Sequence, residues 1–210
     1  MNQLFRSLAL FAGFSIAATA HALEDPPGGF LATFTGDRSI GAFDIVSSDV
    51  TFDSGANVFR VHAHTAGNIA DVASAGYVFG FNRGGATNSP FADIGVPGVT
   101  FDASALLRAN GTGLSGTTPL TARVDGADIF ATIDASVLRS NGFAPQDFTW
   151  ALWSIDSQIQ GNFRNADFAP DANVQVAAVP EPETYVLMLA GLGVMGFVGR
   201  RRSRAATTTA

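Results

Sequence analysis

Residues 76–82 have the sequence Gly76-Tyr77-Val78-Phe79-Gly80-Phe81-Asn82, in which an aromatic side chain occupies every second position. Successive side chains of a β-strand point to opposite faces of the sheet. The alternation therefore places Tyr77, Phe79 and Phe81 on one face and the smaller residues on the other. This segment predicts a strand whose aromatic face packs into a hydrophobic core.

The same two-residue period recurs along the chain. In residues 57–65, Phe59 and Ala63 share one face, whereas His62 and His64 lie on the polar face. Further strands are predicted at residues 30–35, 42–46, 49–53, 96–101, 121–125, 129–134, 148–153 and 173–178. Short strands separated by turns about every ten residues indicate an all-β domain, a single β-sandwich or jelly roll over residues 23–178.

Two segments resemble each other inside this domain. Residues 100–111 match residues 132–142 with one residue deleted, and both contain a Thr-x-Asp-Ala-Ser start and an Asn-Gly end. Each copy predicts a strand, an aspartate N-cap, one or two helical turns and a left-handed stop at the glycine.

Composition limits the classes of function. The chain has no cysteine, which excludes disulfides, thiol catalysis and cysteine-ligated zinc. Residues 23–179 contain 7 arginines, no lysine and 16 acidic residues, a net charge of about −9. Such a charge disfavours nucleic acid and anionic lipid as partners of this body.

The N-terminus has the features of an export signal. Arg6 precedes an apolar run at residues 8–18, and Ala20-His21-Ala22 forms a small-residue cleavage site. We expect residues 1–22 to be a helical signal peptide that the general secretion machinery recognises. Signal peptidase would cut after Ala22, and a retained membrane anchor is the alternative.

The C-terminus combines three elements in order. Residues 180–184, Pro-Glu-Pro-Glu-Thr, precede an uncharged apolar run at residues 185–199 and a cluster of arginines. These arginines are Arg200, Arg201, Arg202 and Arg204. A helix of the run's length spans about 22 Å against the roughly 30 Å hydrocarbon core, so it predicts a marginal, transient transmembrane helix in the inner membrane. The positive-inside rule places the arginines in the cytoplasm and everything before Pro180 outside.

These three elements resemble the PEP-CTERM sorting signal, here residues 179–204, whose tail is also named an ice-binding-protein C-terminal domain. The residues that carry the resemblance are Val179-Pro180-Glu181-Pro182, the glycine-rich apolar run and the arginines. It implies a Gram-negative bacterium that makes extracellular polysaccharide, and an exosortase-like membrane enzyme acting at or near Pro180, Glu181 and Pro182. It also implies final release or transfer to the cell surface.

The body is similar to a recurrent group of uncharacterised PEP-CTERM proteins. The similar segments are residues 49–53, 77–84 and 141–150. This resemblance supports one structural unit and implies no activity.

Three sets of residues are candidate sites. His62 and His64 share a strand face and would form half of a zinc or copper site, or lie as surface histidines beside Arg60. Asp125 and Asp128, together with the Asn- and Asp-rich residues 162–173, offer oxygen ligands for Ca²⁺, although such residues are also ordinary turn formers.

Trp150 and Trp153 form the third set. They lie on opposite faces of one predicted strand, and an exposed tryptophan there would stack on a sugar ring, whereas burial is the commoner outcome.

The sequence favours a body that is not an enzyme and needs no cofactor. It has no Gly-x-Ser-x-Gly motif, and the only glutamate in residues 23–179 is Glu24. The alternatives are a carbohydrate-binding module acting on extracellular polysaccharide and, third, a hydrolase.

Overall fold

The computed structural model describes residues 22–179 and 188–195. Its strands are β1 (Leu23–Glu24), β2 (Ile45–Asp53), β3 (Val58–Thr65), β4 (Ala75–Asn82), β5 (Ala103–Arg108), β6 (Thr112–Ser115), β7 (Thr118–Asp125), β8 (Asp128–Asp134), β9 (Thr149–Asp156), β10 (Asn165–Phe168), β11 (Val174–Gln175) and β12 (Ala177–Ala178). Five 3₁₀ turns lie between them, at Gly41–Phe43, Ile69–Asp71, Ala92–Ile94, Pro145–Asp147 and Gly161–Arg164. The fold is mostly β, as the sequence predicts, and residues 188–195 form a short helix.

The strands pair into one continuous sheet in the order β1-β2-β3-β8-β7-β6-β5-β4-β9-β10. Neighbours on this path are antiparallel; β11 adds to β9, and β12 adds parallel to β2. Strand β7 makes the corner, because Thr118–Thr121 pair with β6 whereas Ala122–Asp125 pair with β8. The sheet is therefore continuous and curls into an open half-barrel. The jelly-roll strand order that the sequence suggested stays a prediction.

The core fills the inside of this curl. Phe59 of β3 lies at its centre and is fully buried. Its ring centroid is 4.9 Å from that of Phe52, 5.8 Å from Phe81 and 5.4 Å from Phe148. Since Phe52 belongs to β2 and Phe81 to β4, the two halves of the curled sheet face each other across these rings.

A second apolar cluster covers the outer face of β4 and β9. Trp153 and Val78 point outward, and the connection between β4 and β5 folds over them with Phe91 and Val99. The Phe91 ring meets the Trp153 ring edge-on at 5.0 Å. Strands β4 and β9 are therefore buried on both faces, which explains their nearly uninterrupted apolar sequences.

Two predicted strands are wrong, and the two predicted at residues 42–46 and 49–53 are a single strand, β2, preceded by a 3₁₀ turn at Gly41–Phe43. Residues 30–35 form turns, because the Arg38 guanidinium binds the carbonyls of Leu31 and Ala32 at 2.9 and 3.1 Å. Residues 96–101 belong to the covering connection, and only Phe101 makes a bridge, to Asn88.

The two similar segments also differ from each other. Residues 103–108, predicted as helical turns, are strand β5, because they pair between β4 and β6. Residues 135–138 do turn, and Asp134 accepts the Ser136 N–H at 2.8 Å as predicted for a cap.

The predicted signal helix falls outside the described residues, except for Ala22. Of the predicted transmembrane run at residues 185–199, the structure describes residues 188–195. Within the described ranges, no helix is long and apolar enough to cross a membrane.

Candidate functional site

The outer face of β2, β3, β8 and β7 carries polar side chains in register. Asp49 lies opposite His62, His62 opposite Phe130, and Phe130 opposite Arg123. Adjacent strands are about 4.8 Å apart, so neighbouring side chains in this row touch. We call these four residues the outer row.

His62 is held between two carboxylates. Its Nδ1 lies 2.8 Å from Asp49 Oδ1, and its Nε2 lies 2.7 Å from Asp128 Oδ1. Ionised carboxylates only accept hydrogen bonds, so two carboxylate partners favour a His62 ring that carries a proton on both nitrogens. His64 Nδ1 reaches the same Asp128 Oδ1 at 2.9 Å.

The pKa values shift in the directions that this geometry requires. The hydrogen bond that His62 donates to Asp49 raises the pKa of His62 against the opposing effect of partial burial, and Asp128 adds to the rise. Partial burial alone would raise the pKa of Asp128, but its hydrogen bonds to His62 and His64 lower it overall. Both shifts favour the charged forms, the His62 imidazolium and the Asp128 carboxylate.

Phe130 lies between the side chains of His62 and Arg123. The His62 ring stacks on it with centroids 4.4 Å apart and planes 6° from parallel. On the β7 side, the Arg123 guanidinium lies 5.9 Å from the Phe130 centroid, within range of a cation–π contact. Arg123 also pairs with Asp125 at 2.6 Å on the exposed surface.

A groove opens where β7 and β8 diverge, beside the outer row. Residues 118–121 leave to pair with β6, while Thr132–Asp134 continue along β3, and a space of about 840 Å³ results. It is lined by Asp49, Thr51, Arg60, Val61, His62, Phe130, Ala131, Thr132, Asp134, Val137 and residues 118–123. The groove is thus lined by hydroxyl groups, by paired charged side chains and by the apolar Pro119 and Leu120.

The structure brings together three of the predicted metal candidates. His62, His64 and Asp128 meet, whereas Asp125 pairs with Arg123 instead. Asp49, which the sequence analysis did not single out, completes the cluster; its place opposite His62 depends on the β2–β3 register. Among the described residues, no group of three or more His, Asp or Glu side chains is arranged to hold a metal ion.

Both tryptophans are buried, which is the commoner of the two outcomes that the sequence allowed. Trp150 is 2% exposed and Trp153 is 4% exposed. Trp150 packs in the inner core, and Trp153 lies beneath the connection that covers β4 and β9. Neither ring offers a free face to a sugar.

The Asn- and Asp-rich residues 162–173 mostly serve the fold. Asn173 donates to the Thr100 carbonyl, and Asp167 is buried, with Oδ2 accepting the Ile45 N–H at 2.8 Å. Burial raises the pKa of Asp167 to about 7; the Ile45 N–H lowers it, and the charges of Asp25 and Asp44 add to the rise. These contacts tie the segment to β2 and to the connection between β4 and β5.

The processing residues lie at the ends of the described body. Ala22 is exposed and directly precedes β1. Pro180, Glu181 and Pro182, and the arginines at 200, 201, 202 and 204, fall outside the described residues. The chain stays hydrogen-bonded to the sheet up to Val179, the residue before Pro180, because the Val179 N–H donates to the Phe52 carbonyl at 3.0 Å.

Comparison with known families identifies this end of the chain. Residues 178–202 match the PEP-CTERM protein-sorting motif. No curated protein matches the chain. The motif implies export and membrane-associated sorting, with an exosortase as the processing partner.

Proposed function

We propose that this protein is an exported bacterial surface or extracellular-matrix protein whose body is not an enzyme. The observation that carries the proposal is the sorting motif at residues 178–202. The general secretion machinery exports the chain, signal peptidase cuts after Ala22, and the apolar run holds the C-terminus in the inner membrane of a Gram-negative cell. An exosortase-like enzyme then acts at Pro180-Glu181-Pro182 and sends the body to the surface.

The chemistry of the two ends supports this order of events. Pro180 and Pro182 lack N–H donors, so this element cannot continue as the interior of a helix or a sheet. The arginines after residue 199 oppose passage of the C-terminus across the membrane. The acidic, lysine-free body suits solubility outside the cell, and the proposal assigns it no metal or cofactor.

The test replaces Pro180, Glu181 and Pro182 by alanine in a host that carries the exosortase. The full-length precursor is expected to accumulate in the membrane fraction. The matched control is Pro26→Ala with Pro27→Ala, two exposed prolines shortly after β1, which should leave processing unchanged. If the triple variant reached the surface with the size and rate of the wild type, the proposal would fail.

A second candidate function is binding of extracellular polysaccharide in the groove between β7 and β8. The groove favours it, because hydroxyl and paired charged side chains surround apolar Pro119 and Leu120, a lining that suits sugar hydroxyls and C–H faces. A glycan array of residues 23–179, with and without Ca²⁺, tests it against a Thr132→Trp variant that fills the groove. Equal binding by both proteins would exclude the groove as the site.

A further inference from the structure

The segment at residues 174–179 joins the two halves of the sheet. Strand β11 pairs with β9, with Val174 opposite Trp150, and β12 pairs with β2, with Ala177 opposite Thr51. Between them, Val176 is 4% exposed, and its N–H donates to the Phe148 carbonyl at 2.9 Å. The segment bridges strand edges that would otherwise lie open.

This same segment runs directly into the sorting motif. The family match begins at residue 178, so Ala178 belongs both to β12 and to the motif. The Val179 N–H is bound to the Phe52 carbonyl, and the following residue is Pro180. There is no spacer between the hydrogen-bonded sheet and Pro180-Glu181-Pro182.

An enzyme that acts on a peptide bond must receive the residues on both sides of it in its own cleft. Residues 177–179 cannot enter a cleft while they are paired with β2, so processing requires local opening of the native fold. Accordingly, and resting on the proposed function, we propose that β12 is a latch whose release from β2 limits access of the sorting enzyme to Pro180-Glu181-Pro182.

The structure also sets how far the opening extends. Ala177 is half-buried and Ala178 exposed, so their release removes little apolar contact. Val176 is buried and hydrogen-bonded, so it stops further opening. Release of residues 177–179 would add three extended residues, about 10 Å of reach, before the motif.

The first test locks the latch in the full-length chain with Thr51→Cys and Ala177→Cys. These residues are opposite each other on paired strands, and the protein has no cysteine of its own, so only one disulfide can form. Conversion of precursor is expected to slow at least fivefold and to recover when a reductant is added. Each single-cysteine variant is the control and should be processed like the wild type.

The second test lengthens the spacer. Six residues, Gly-Ser-Gly-Ser-Ala-Val, are inserted after Val179 so that Ala-Val still precedes the Pro-Glu-Pro element. The insertion is expected to speed processing at least threefold in the otherwise native chain and to rescue the locked variant. If the insertion does not speed processing of the otherwise native chain, the latch proposal is wrong, whether or not the disulfide forms in the locked variant.

The alanine triple variant at residues 180–182 separates the two proposals. If it is processed normally, the sorting assignment itself fails. If it is blocked while the locked chain is processed at the wild-type rate, with its disulfide verified, the sorting assignment stands and the latch is wrong.

Discussion

We predict that the titration of Asp167 lowers the stability of the body as pH rises. The residue is 1% exposed, and burial raises its pKa to about 7 from its ordinary value of 3.8. The folded protein therefore holds this proton more tightly than the unfolded chain does. The stability that the proton gives is fully present below about pH 4 and is lost as pH rises through about 7.

The size of the effect follows from the two pKa values. One pKa unit corresponds to about 1.36 kcal/mol, so the full loss is about 4 kcal/mol, and about 2.5 kcal/mol of it falls between pH 5 and pH 8. Asp167→Asn removes this titration. The new amide N–H₂ group then faces the backbone N–H of either Ile45 or Phe168, so two donors meet and one hydrogen bond is lost. This loss lowers the free energy of unfolding by about 1–3 kcal/mol at every pH.

The assay is urea unfolding of residues 23–179 at several pH values, followed by fluorescence of the two buried tryptophans. The difference in unfolding free energy between wild type and Asp167→Asn should shift by about 2.5 kcal/mol in favour of the variant between pH 5 and pH 8. Asp93→Asn, at an exposed position, is the matched control. Parallel stability curves for wild type and Asp167→Asn would refute the reasoning.

Two further predictions concern the outer row and the cluster that covers β4 and β9. His62 should titrate in NMR with a pKa above its ordinary 6.5, and Asp49→Asn should lower that pKa. The stability that protonated His62 contributes is present below about pH 6.5 and is lost as pH rises through the folded-state pKa. An unchanged His62 titration in the variant would contradict the ion-pair geometry. Gly80→Ala would place a Cβ 2.9 Å from Trp153 and 3.2 Å from Phe101, so it should cost about 1–3 kcal/mol of unfolding free energy. Gly55→Ala, whose nearest contact is 3.5 Å, should be close to neutral in the same measurement.

The sequence predicts most of the strands because their period-2 pattern reflects one buried face. Strands β3 and β8 follow this pattern, with Phe59 and Ile133 inside and Arg60 and Thr132 outside. Strand β5 was missed because Ala103-Ser104-Ala105-Leu106-Leu107 also has the residues of a helical turn. Pairing between two neighbours, a long-range effect, decides its conformation.

The candidate site was predictable only in part, for a similar reason. The pair His62 and His64 is visible within one strand, but Asp49 and Asp128 join it only through the registers of β2 and β8. The groove depends on the point at which β7 changes partner, and no local pattern marks that point. The sorting motif, by contrast, is contiguous and is confirmed by the family match.

The two-sided burial of β4 and β9 gives the molecule a gradient of local stability. Amide protons of Tyr77–Phe81 and Trp150–Trp153 should exchange with solvent only on global unfolding, since apolar layers cover both faces. Amides at the short outer strand β12 should exchange through small local openings. A force applied through the C-terminal end of the body would therefore act first on β12 and would leave β4 and β9 paired.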